Sequence, residues 1–260
     1  DSVGIDEAIR STPKLRVILI ETPANPTLVM TDIVRAAATA WERPEARPLI
    51  FVDNTMLGPA FQHPLQLGAD LVLYSATKFL SGFSDLLGGV ALAHDPALLR
   101  KLRSKRNFLG NILQPDECWM LNQRLPTVGL RMNRASKNAQ RIAERIAMHP
   151  AVKKVLYPAQ FDDPTQIQIR NAQCDYPGAV FSLDLHGGKP PAFAFLRKLK
   201  LVYNAVSLGG VETLVCHPRT TTHSGFTEKQ FVEAGITEGL VRISVGTEDW
   251  RDLLQDFEQA

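Results

Sequence analysis

Short apolar runs alternate with amphipathic segments through the first third of the chain. The apolar runs are "RVILIETP", "PLIFVDNT", "ADLVLYSATK" and "GGVALA", and segments such as "TDIVRAAATAW" between them place apolar residues at helical spacing. Fully apolar strands separated by helices are typical of a parallel sheet that is covered on both faces. The pattern therefore predicts an α/β region from Val17 to about Ala93.

The rest of the chain has a different pattern. Between Asp116 and Met148 apolar residues recur at helical spacing, and Pro126 is expected to break or kink that helix. From Pro150 onward predicted strands and helices mix, the strands being "VKKVLYP", "GAVFSLDL", "NAVSLGG" and "LVRISVG". We expect two domains: residues 1–149 as a partial α/β domain with its linking helix, and residues 150–260 as a smaller α+β domain.

Polar residues follow three of the predicted strands directly. Glu21 comes after "VILI", Asp53 after "LIFV" and Ser75 after "LVLY". Each of them alone is explained by a cap or a turn. Because ligands of open parallel sheets bind beyond the carboxyl ends of the strands, the three together indicate a site in one crevice.

The residues of this crevice suit one cofactor. Asp53, desolvated between strands, requires a cationic partner. Lys78, at the mouth of an apolar pocket, can lose its proton and attack a carbonyl. Ser75 and Thr77 stand at alternate positions, which on a strand would point both hydroxyls the same way, toward a phosphate. A ring cation, an aldehyde and a phosphate describe pyridoxal phosphate, with Asp53 on the ring nitrogen, Lys78 on the aldehyde, and Ser75 and Thr77 on the phosphate.

Four stretches carry a family resemblance. They are "ETPANPT", "VDNTMLGPAFQHPLQLGADLVLYSATKFLSG", "AVSLGGVETL" and "GLVRISVGTEDWRDLLQDFEQA". The chain from Val17 to Ala260 resembles the pyridoxal-phosphate enzymes of Cys/Met metabolism. These are the fold-type-I group of cystathionine γ-synthase, cystathionine β- and γ-lyases, methionine γ-lyase and acylhomoserine sulfhydrylases. The resemblance implies the fold-type-I architecture, with a mostly parallel sheet domain and a smaller α+β C-terminal domain.

The resemblance also implies roles for individual residues. Lys78 of "SATK" would form the internal aldimine and later act as the base at Cα, and Asp53 of "VDNT" would pair with the pyridine nitrogen. Ser75 and Thr77 would bind the phosphate. Asn25 of "ETPANP" would hydrogen-bond the ring oxygen and, with Ser207 and Arg242, surround the substrate.

Arg242 is also singled out by its position. It lies inside the apolar strand "LVRISV", where an unpaired guanidinium is costly. A bidentate pair with a substrate α-carboxylate would satisfy it, which is the role that the resemblance implies; the alternative is an internal salt bridge.

The resemblance implies a carbon–sulfur lyase of trans-sulfuration. We expect α,γ-elimination from a sulfur amino acid, of the methionine γ-lyase or cystathionine γ-lyase type. The apolar Val206, before Ser207, resembles the methionine γ-lyase pattern and suits a thioether tail. The alternative is γ-replacement, as in cystathionine γ-synthase or the acylhomoserine sulfhydrylases.

The resemblance bears on assembly as well. It implies a homodimer or homotetramer. Family members carry a phosphate loop and a ring-stacking aromatic residue before the position of residue 1. A second alternative is therefore an incomplete chain that needs a complementary N-terminal segment for activity.

Composition excludes other classes of function. A formal charge of +2 without a basic, aromatic-rich patch argues against nucleic acid, and no apolar run approaches the roughly 20 residues of a membrane span. The three cysteines form no CxxC pair or disulfide framework, which favours a reducing cytoplasm. The six histidines show no metal-ligand spacing, so we expect no metal.

Overall fold

A four-stranded sheet occupies the N-terminal part of the chain in the computed structural model, which describes residues 2–43 and 47–260. Its strands are ordered β1-β2-β3-β4; β1, β2 and β3 are parallel, and β4 is antiparallel to β3. The elements are α1 (Ser2–Ser11), β1 (Val17–Glu21), α2 (Ile33–Trp41), β2 (Leu49–Asp53), α3 (Gly58–Phe61), β3 (Leu71–Ser75) and β4 (Gly89–Leu92).

The register of this sheet confirms the expected edge. Glu21 pairs with Asp53, and Asp53 pairs with Leu73, two residues before Ser75. The polar ends of the three strands therefore lie at the same edge. The run "GGVALA" forms a strand as predicted, but an antiparallel one, because the chain returns from β3 without the crossover helix that a parallel strand requires.

Three helices follow β4. They are α4 (Pro96–Leu109), α5 (Pro115–Arg124) and α6 (Val128–Ile146), with a 3₁₀ turn at Leu125–Thr127 between the last two. Pro126 stands in that turn, so the predicted break is confirmed. No helix in residues 2–43 and 47–260 is long and apolar enough to cross a membrane.

A second, five-stranded sheet follows α6. Its order is β5-β6-β9-β8-β7, with antiparallel pairing throughout except for the parallel pair β7–β8. The elements are β5 (Val152–Leu156), α7 (Pro164–Gln173), β6 (Val180–Leu185), α8 (Lys189–Lys198), β7 (Tyr203–Asn204), β8 (Leu214–Cys216), α9 (Glu228–Glu233), β9 (Leu240–Ser244) and α10 (Trp250–Gln259).

One predicted strand is wrong. Only Tyr203–Asn204 is extended in the sheet, and "AVSLGG", residues 205–210, forms a loop before β8. Ala205 N still donates to Val215 O of β8 at 2.9 Å, but backbone groups further along the loop bond to side chains of β9, as described below.

Apolar packing joins the two sheets. One buried cluster surrounds the first sheet, and a larger one surrounds β6, β9, α6 and α10. Leu28, Met56 and Phe79, which follow β1, β2 and β3 respectively, belong to the larger cluster. The segments that leave the polar edge of the first sheet are thus packed into the core of the second. The division into domains at residue 149 stays a prediction.

Candidate active site

Lys78 lies in a π-helical turn, Ala76–Leu80, that begins directly after β3. Hydrogen bonds from Ser81 N to Ala76 O (3.0 Å) and from Gly82 N to Lys78 O (2.8 Å) close the turn. The backbone at Lys78 departs from helical angles, with φ −92° and ψ −131°. Its Nζ donates a hydrogen bond to Ser207 Oγ at 3.0 Å. The structure therefore brings Lys78 and Ser207 together.

Gly209 allows loop 205–210 to approach this turn. Its φ is +77°, and a Cβ here would stand 2.8 Å from Phe79 N and 3.1 Å from Lys78 Cβ. Gly209 N donates to Ser244 Oγ at 2.9 Å. Only glycine combines this backbone conformation with so close a contact.

Arg242 binds the same loop from β9. It is 2% exposed. Its Nη2 donates to the carbonyl oxygens of Val206 and Ser207, both at 2.8 Å, and its Nη1 donates to Asn25 Oδ1 at 3.2 Å. Its Nε is buried and has no partner among the described residues. None of the ion pairs of that part of the chain includes Arg242, so the internal salt bridge is not found there.

The site favours a neutral amine and an anionic ligand. Burial lowers the pKa of Lys78, and the positive charge of Arg242 lowers it further. Burial also lowers the pKa of Arg242 itself. Each group is thus held where its charged form is disfavoured, and an anion bound beside them would relieve that cost.

Two carboxyl groups stand at the ends of β1 and β2. Burial raises the pKa of Glu21, the hydrogen bond from Asn25 N (3.1 Å) opposes that rise, and the charge of Asp53 adds to it. Asp53 Oδ1 accepts from Thr55 N at 2.9 Å. No cation pairs with Asp53 in residues 2–43 and 47–260, so its carboxylate can accept a cation from a ligand.

The two hydroxyls predicted to hold a phosphate differ in their surroundings. Ser75 ends the strand, and its N–H donates to Thr55 Oγ1 at 2.8 Å. Thr77 lies in the turn, so the argument from alternate strand positions is wrong for it. The Thr77 hydroxyl accepts from Gly88 N at 3.1 Å and lies 3.5 Å from Gly88 O. Thr77 therefore also ties the turn to the start of β4.

A buried amide network supports the end of β2. Asn54 Nδ2 donates to the carbonyl oxygens of Gly58 and Gln62, both at 2.9 Å, and to Tyr74 Oη at 3.2 Å. Gln62 Nε2 donates in turn to Asn54 Oδ1 at 2.8 Å. Sequence reasoning missed this network; the signal was a second polar residue, Asn54, directly after the strand end.

The side chains fit the cofactor that the sequence indicates. No described residue accepts a hydrogen bond from the Asn25 side-chain NH₂, which can therefore donate to a ring oxygen. Asp53 offers an acceptor to a ring cation, Lys78 an amine of lowered pKa, and Arg242 an unpaired buried N–H. The individual roles stay predictions.

Known proteins are similar to this chain in sequence. The chain is similar to the cystathionine beta-lyase MetC of Bacillus subtilis (strain 168), at 42% identity over 261 residues, which is 100% of this chain and 66% of that protein. It is also similar to an L-methionine gamma-lyase of Pseudomonas deceptionensis, at 41% identity over 249 residues, covering 95% of this chain and 62% of that protein. The chain thus spans 62% to 66% of the length of these two relatives.

Solved structures agree with the fold. A crystal structure of a cystathionine gamma-lyase from Micromonospora echinospora superposes with a TM-score of 0.93 at 37% identity, covering 99% of this chain and 66% of that one. A cystathionine gamma-lyase from Lactobacillus plantarum gives a TM-score of 0.92, also at 37% identity, over 100% of this chain and 66% of that one. The expected fold-type-I architecture is confirmed.

The chain also matches a whole protein family, and the matched range includes both sheets. Residues 3–260 match a family of enzymes that depend on pyridoxal phosphate. The four sequence stretches, the lysine-bearing turn after β3 and the buried arginine of β9 all lie inside the matched range. The chain belongs to the family described as Cys/Met metabolism PLP-dependent enzymes.

Proposed function

We propose that this chain forms the cofactor-binding and substrate-binding part of a carbon–sulfur lyase that acts on a sulfur amino acid by α,γ-elimination. One observation carries the proposal: the amine of Lys78 lies 3.0 Å from the hydroxyl of Ser207, whose carbonyl oxygen binds Arg242 at 2.8 Å. An amine able to move a proton thus stands beside a guanidinium able to hold a carboxylate. The names of the relatives, which include cystathionine and methionine lyases, support the class of substrate.

Five side chains would hold pyridoxal phosphate: Asp53 at the ring nitrogen, Asn25 at the ring oxygen, Ser75 and Thr77 at the phosphate, and Lys78 at the aldehyde carbon. When bound, the cofactor supplies an electron-withdrawing ring that stabilises negative charge left at Cα.

Side chains of the protein bind the substrate, orient it and move its protons. Arg242 binds the α-carboxylate and so fixes the Cα–H bond relative to Lys78, and Asn25 and Ser207 orient the arginine and the amine. Lys78, freed when the amino group of the substrate takes its place, removes the proton from Cα, and burial, which lowers its pKa, favours the neutral amine that this step requires. Once it has given up that proton, the same amine removes a proton from Cβ, and a Cβ–Cγ double bond forms as the Cγ–S bond breaks and the sulfur leaves with its electron pair.

The carbonyl oxygen of Val206 accepts a hydrogen bond from Arg242, so Val206 lies next to the proposed carboxylate site. The residue is 56% exposed. An apolar side chain here favours a thioether tail over a second amino group.

The test measures both the covalent attachment of the cofactor to Lys78 and the turnover of substrate. After incubation with pyridoxal phosphate and borohydride reduction, peptide mass spectrometry should find the label on Lys78 and none in Lys78→Ala, with the exposed Lys154→Ala labelled like the wild type. Methionine or cystathionine alone should release 2-oxobutyrate. Labelling that is unchanged in Lys78→Ala would contradict the proposal. A product that requires an added thiol would instead indicate γ-replacement.

We also propose a homodimer or homotetramer in the cytoplasm. Phe108 and Leu109 of α4 are 90% and 76% exposed, and large exposed apolar side chains side by side favour an interface between copies. The three cysteines are free thiols, which supports a reducing compartment. Sedimentation velocity would measure the oligomeric state, and a monomer at micromolar concentration would contradict the first part.

A further inference from the structure

Arg131 of α6 binds the end of the turn that carries Lys78. Its Nη1 donates to Phe79 O at 2.8 Å, and its Nη2 donates to Leu80 O at 3.1 Å. These carbonyl oxygens stand at the end of the turn, where a helical turn leaves its last acceptors without partners of its own. One planar guanidinium thus binds the carbonyl groups of the two residues that directly follow Lys78.

Other contacts fix the guanidinium in this place. Its Nε donates to Thr127 Oγ1 at 3.1 Å, and its Nη2 also donates to Arg124 O at 3.3 Å. Gly82, with φ +78°, leaves space for the group, because a Cβ here would stand 2.8 Å from Arg131 Cζ and would collide with Nη1. Gly82 thus leaves a slot that the guanidinium of Arg131 fills.

The charge of Arg131 is not part of an ion pair. None of the ion pairs within residues 2–43 and 47–260 includes it. Burial lowers the pKa of Arg131, and the like charge of Arg124 lowers it further. The partners of this half-buried cation are backbone carbonyl groups and one hydroxyl, and hydrogen bonds from a charged donor are roughly twice as strong as those between neutral groups.

The place of Phe79 and Leu80 determines the place of Lys78. Phe79 packs into the apolar cluster of the second sheet, and Leu80 packs into that of the first. The amine of Lys78 contacts Ser207 Oγ at 3.0 Å across the site. The contacts from Arg131 therefore fix the direction in which the chain leaves Lys78, and with it the position of the amine against loop 205–210.

We propose that Arg131 is a positioning residue: it binds the carbonyl oxygens of Phe79 and Leu80 and so holds the amine of Lys78 beside Ser207. The inference rests on the proposed function for the use that the reaction makes of this amine, but the contacts lie within the chain and need no ligand.

The first test follows the titration of Lys78 without cofactor. Arg131→Met keeps the aliphatic stem and removes the donors, whereas Arg131→Lys keeps the charge but has no fork that reaches both carbonyl oxygens. A loosened turn admits water to Lys78, and because burial is the main cause of its lowered pKa, that pKa should rise. Modification of Lys78 by an amine-reactive reagent, followed by peptide mass spectrometry, should therefore require a higher pH in Arg131→Met, and the shift should be smaller in Arg131→Lys.

Arg134→Met is the matched control. Arg134 lies about one turn further along α6 and also donates to backbone carbonyl oxygens, those of Thr247 at 3.4 Å and Glu248 at 3.2 Å, which lie outside the turn of Lys78. Its loss should leave the pH dependence of Lys78 modification as in the wild type. The control thus separates an effect on the turn from a general loss of stability.

The second test restores the missing group. In Arg131→Ala the backbone amides of Ser81 and Gly82, which close the turn, should exchange with deuterium about tenfold faster than in the wild type, the equivalent of about 1.4 kcal/mol. Added n-propylguanidinium should fill the slot and slow this exchange. The ion n-propylammonium, which has the same charge without the fork, should not.

The results decide the two proposals separately. The positioning role is overturned by a pH dependence of Lys78 that is unmoved in both Arg131→Met and Arg131→Lys, by an equal shift in Arg134→Met, or by exchange at Ser81 and Gly82 that propylguanidinium does not slow. The milder Arg131→Lys keeps the test decisive if Arg131→Met does not fold. Neither test uses pyridoxal phosphate, so a wild-type chain that takes up no cofactor would overturn the proposed function alone.

Discussion

The charge of Arg242 acts on Lys78 although no hydrogen bond joins the two side chains. Burial is the larger cause of the lowered pKa of Lys78, and the guanidinium is the smaller one. Both residues were predicted from sequence, Lys78 from its place after a strand and Arg242 from its cost inside an apolar strand. Periodicity does not predict their partners, because Arg242 and Asn25 are 217 positions apart and no local pattern connects them; only the family resemblance implies that Asn25, Ser207 and Arg242 surround one substrate.

Replacement of Arg242 should change the titration of Lys78. Arg242→Met removes a like charge, so the pKa of Lys78 should rise; it should stay below the ordinary value because burial remains. Arg242→Lys keeps the charge and should leave the pKa low. The pH dependence of Lys78 modification by an amine-reactive reagent, followed by peptide mass spectrometry, measures this. An identical pH dependence in the Met variant and the wild type would show that the charge does not act.

Two elements, the turn at 76–80 and the loop at 205–210, form the site by close approach. The sequence predicts that the apolar strand ends in polar residues, but it does not predict that Thr77 already lies in the turn. The loop was predicted as a strand because "NAVSLGG" contains β-branched and apolar residues. Its carbonyl groups at Val206 and Ser207 bind Arg242, and the N–H of Gly209 binds Ser244. Such side-chain partners for a backbone are invisible to a periodicity argument.

A side chain at position 209 should separate these two elements. In Gly209→Ala the Cβ meets Phe79 N, and the positive φ adds strain, so we expect a loss of about 1–3 kcal/mol in the free energy of unfolding and weaker capture of pyridoxal phosphate. Gly129→Ala is the control, because it lies in α6 with no atom within 4 Å of its Cβ and should be neutral or stabilising. Chemical denaturation measures both; equal stability of the two variants would contradict the expected clash.

Asp256 of α10 should give stability that depends on pH. It accepts from the N–H groups of Lys200, Leu201 and Val202 at 2.8–3.0 Å. Burial alone would raise its pKa, but these donors and Gln259 hold it below the ordinary value. A lowered folded pKa stabilises the protein above the unfolded pKa, and the effect is lost as pH falls through the folded value.

The test for this site is Asp256→Asn. The variant should be less stable than the wild type by about 2 kcal/mol at pH 7, since hydrogen bonds to charged groups contribute about that much. The difference should shrink as pH falls below about 4. Urea denaturation across pH measures it, and a difference independent of pH would argue against the ionised carboxylate as the cause.

Across the whole molecule, the segments that leave the first sheet pack into the apolar core of the second sheet. Met132 of α6 is 1% exposed and lies against Gly58 of α3, where a Cβ would come within 2.8 Å of its Sδ. The pattern of strands and helices predicts the four strands of the first sheet and β5, β6 and β9 of the second, but it misses β8. It does not predict this packing, because apolar residues in loops carry no periodicity.

Truncation of the Met132 side chain should therefore destabilise the regions around both sheets. We expect Met132→Ala to lower the free energy of unfolding by about 2–5 kcal/mol, as for other large-to-small substitutions in a core. Single-tryptophan variants that retain Trp41 near the first sheet or Trp250 of α10 should report the same midpoint of unfolding. Two separate midpoints would contradict the expectation that this packing couples the two sheets.

The contact between Lys78 and Ser207 joins residues 129 positions apart, in a turn that follows the first sheet and a loop of the second. An unfolded or half-folded chain does not hold these groups at 3 Å, so a ligand that needs both would bind the native state alone and would stabilise it in proportion to the logarithm of its concentration. Uptake of the coloured cofactor would then serve as an optical reporter of complete folding, and its concentration during expression would set how much of the chain survives proteolysis.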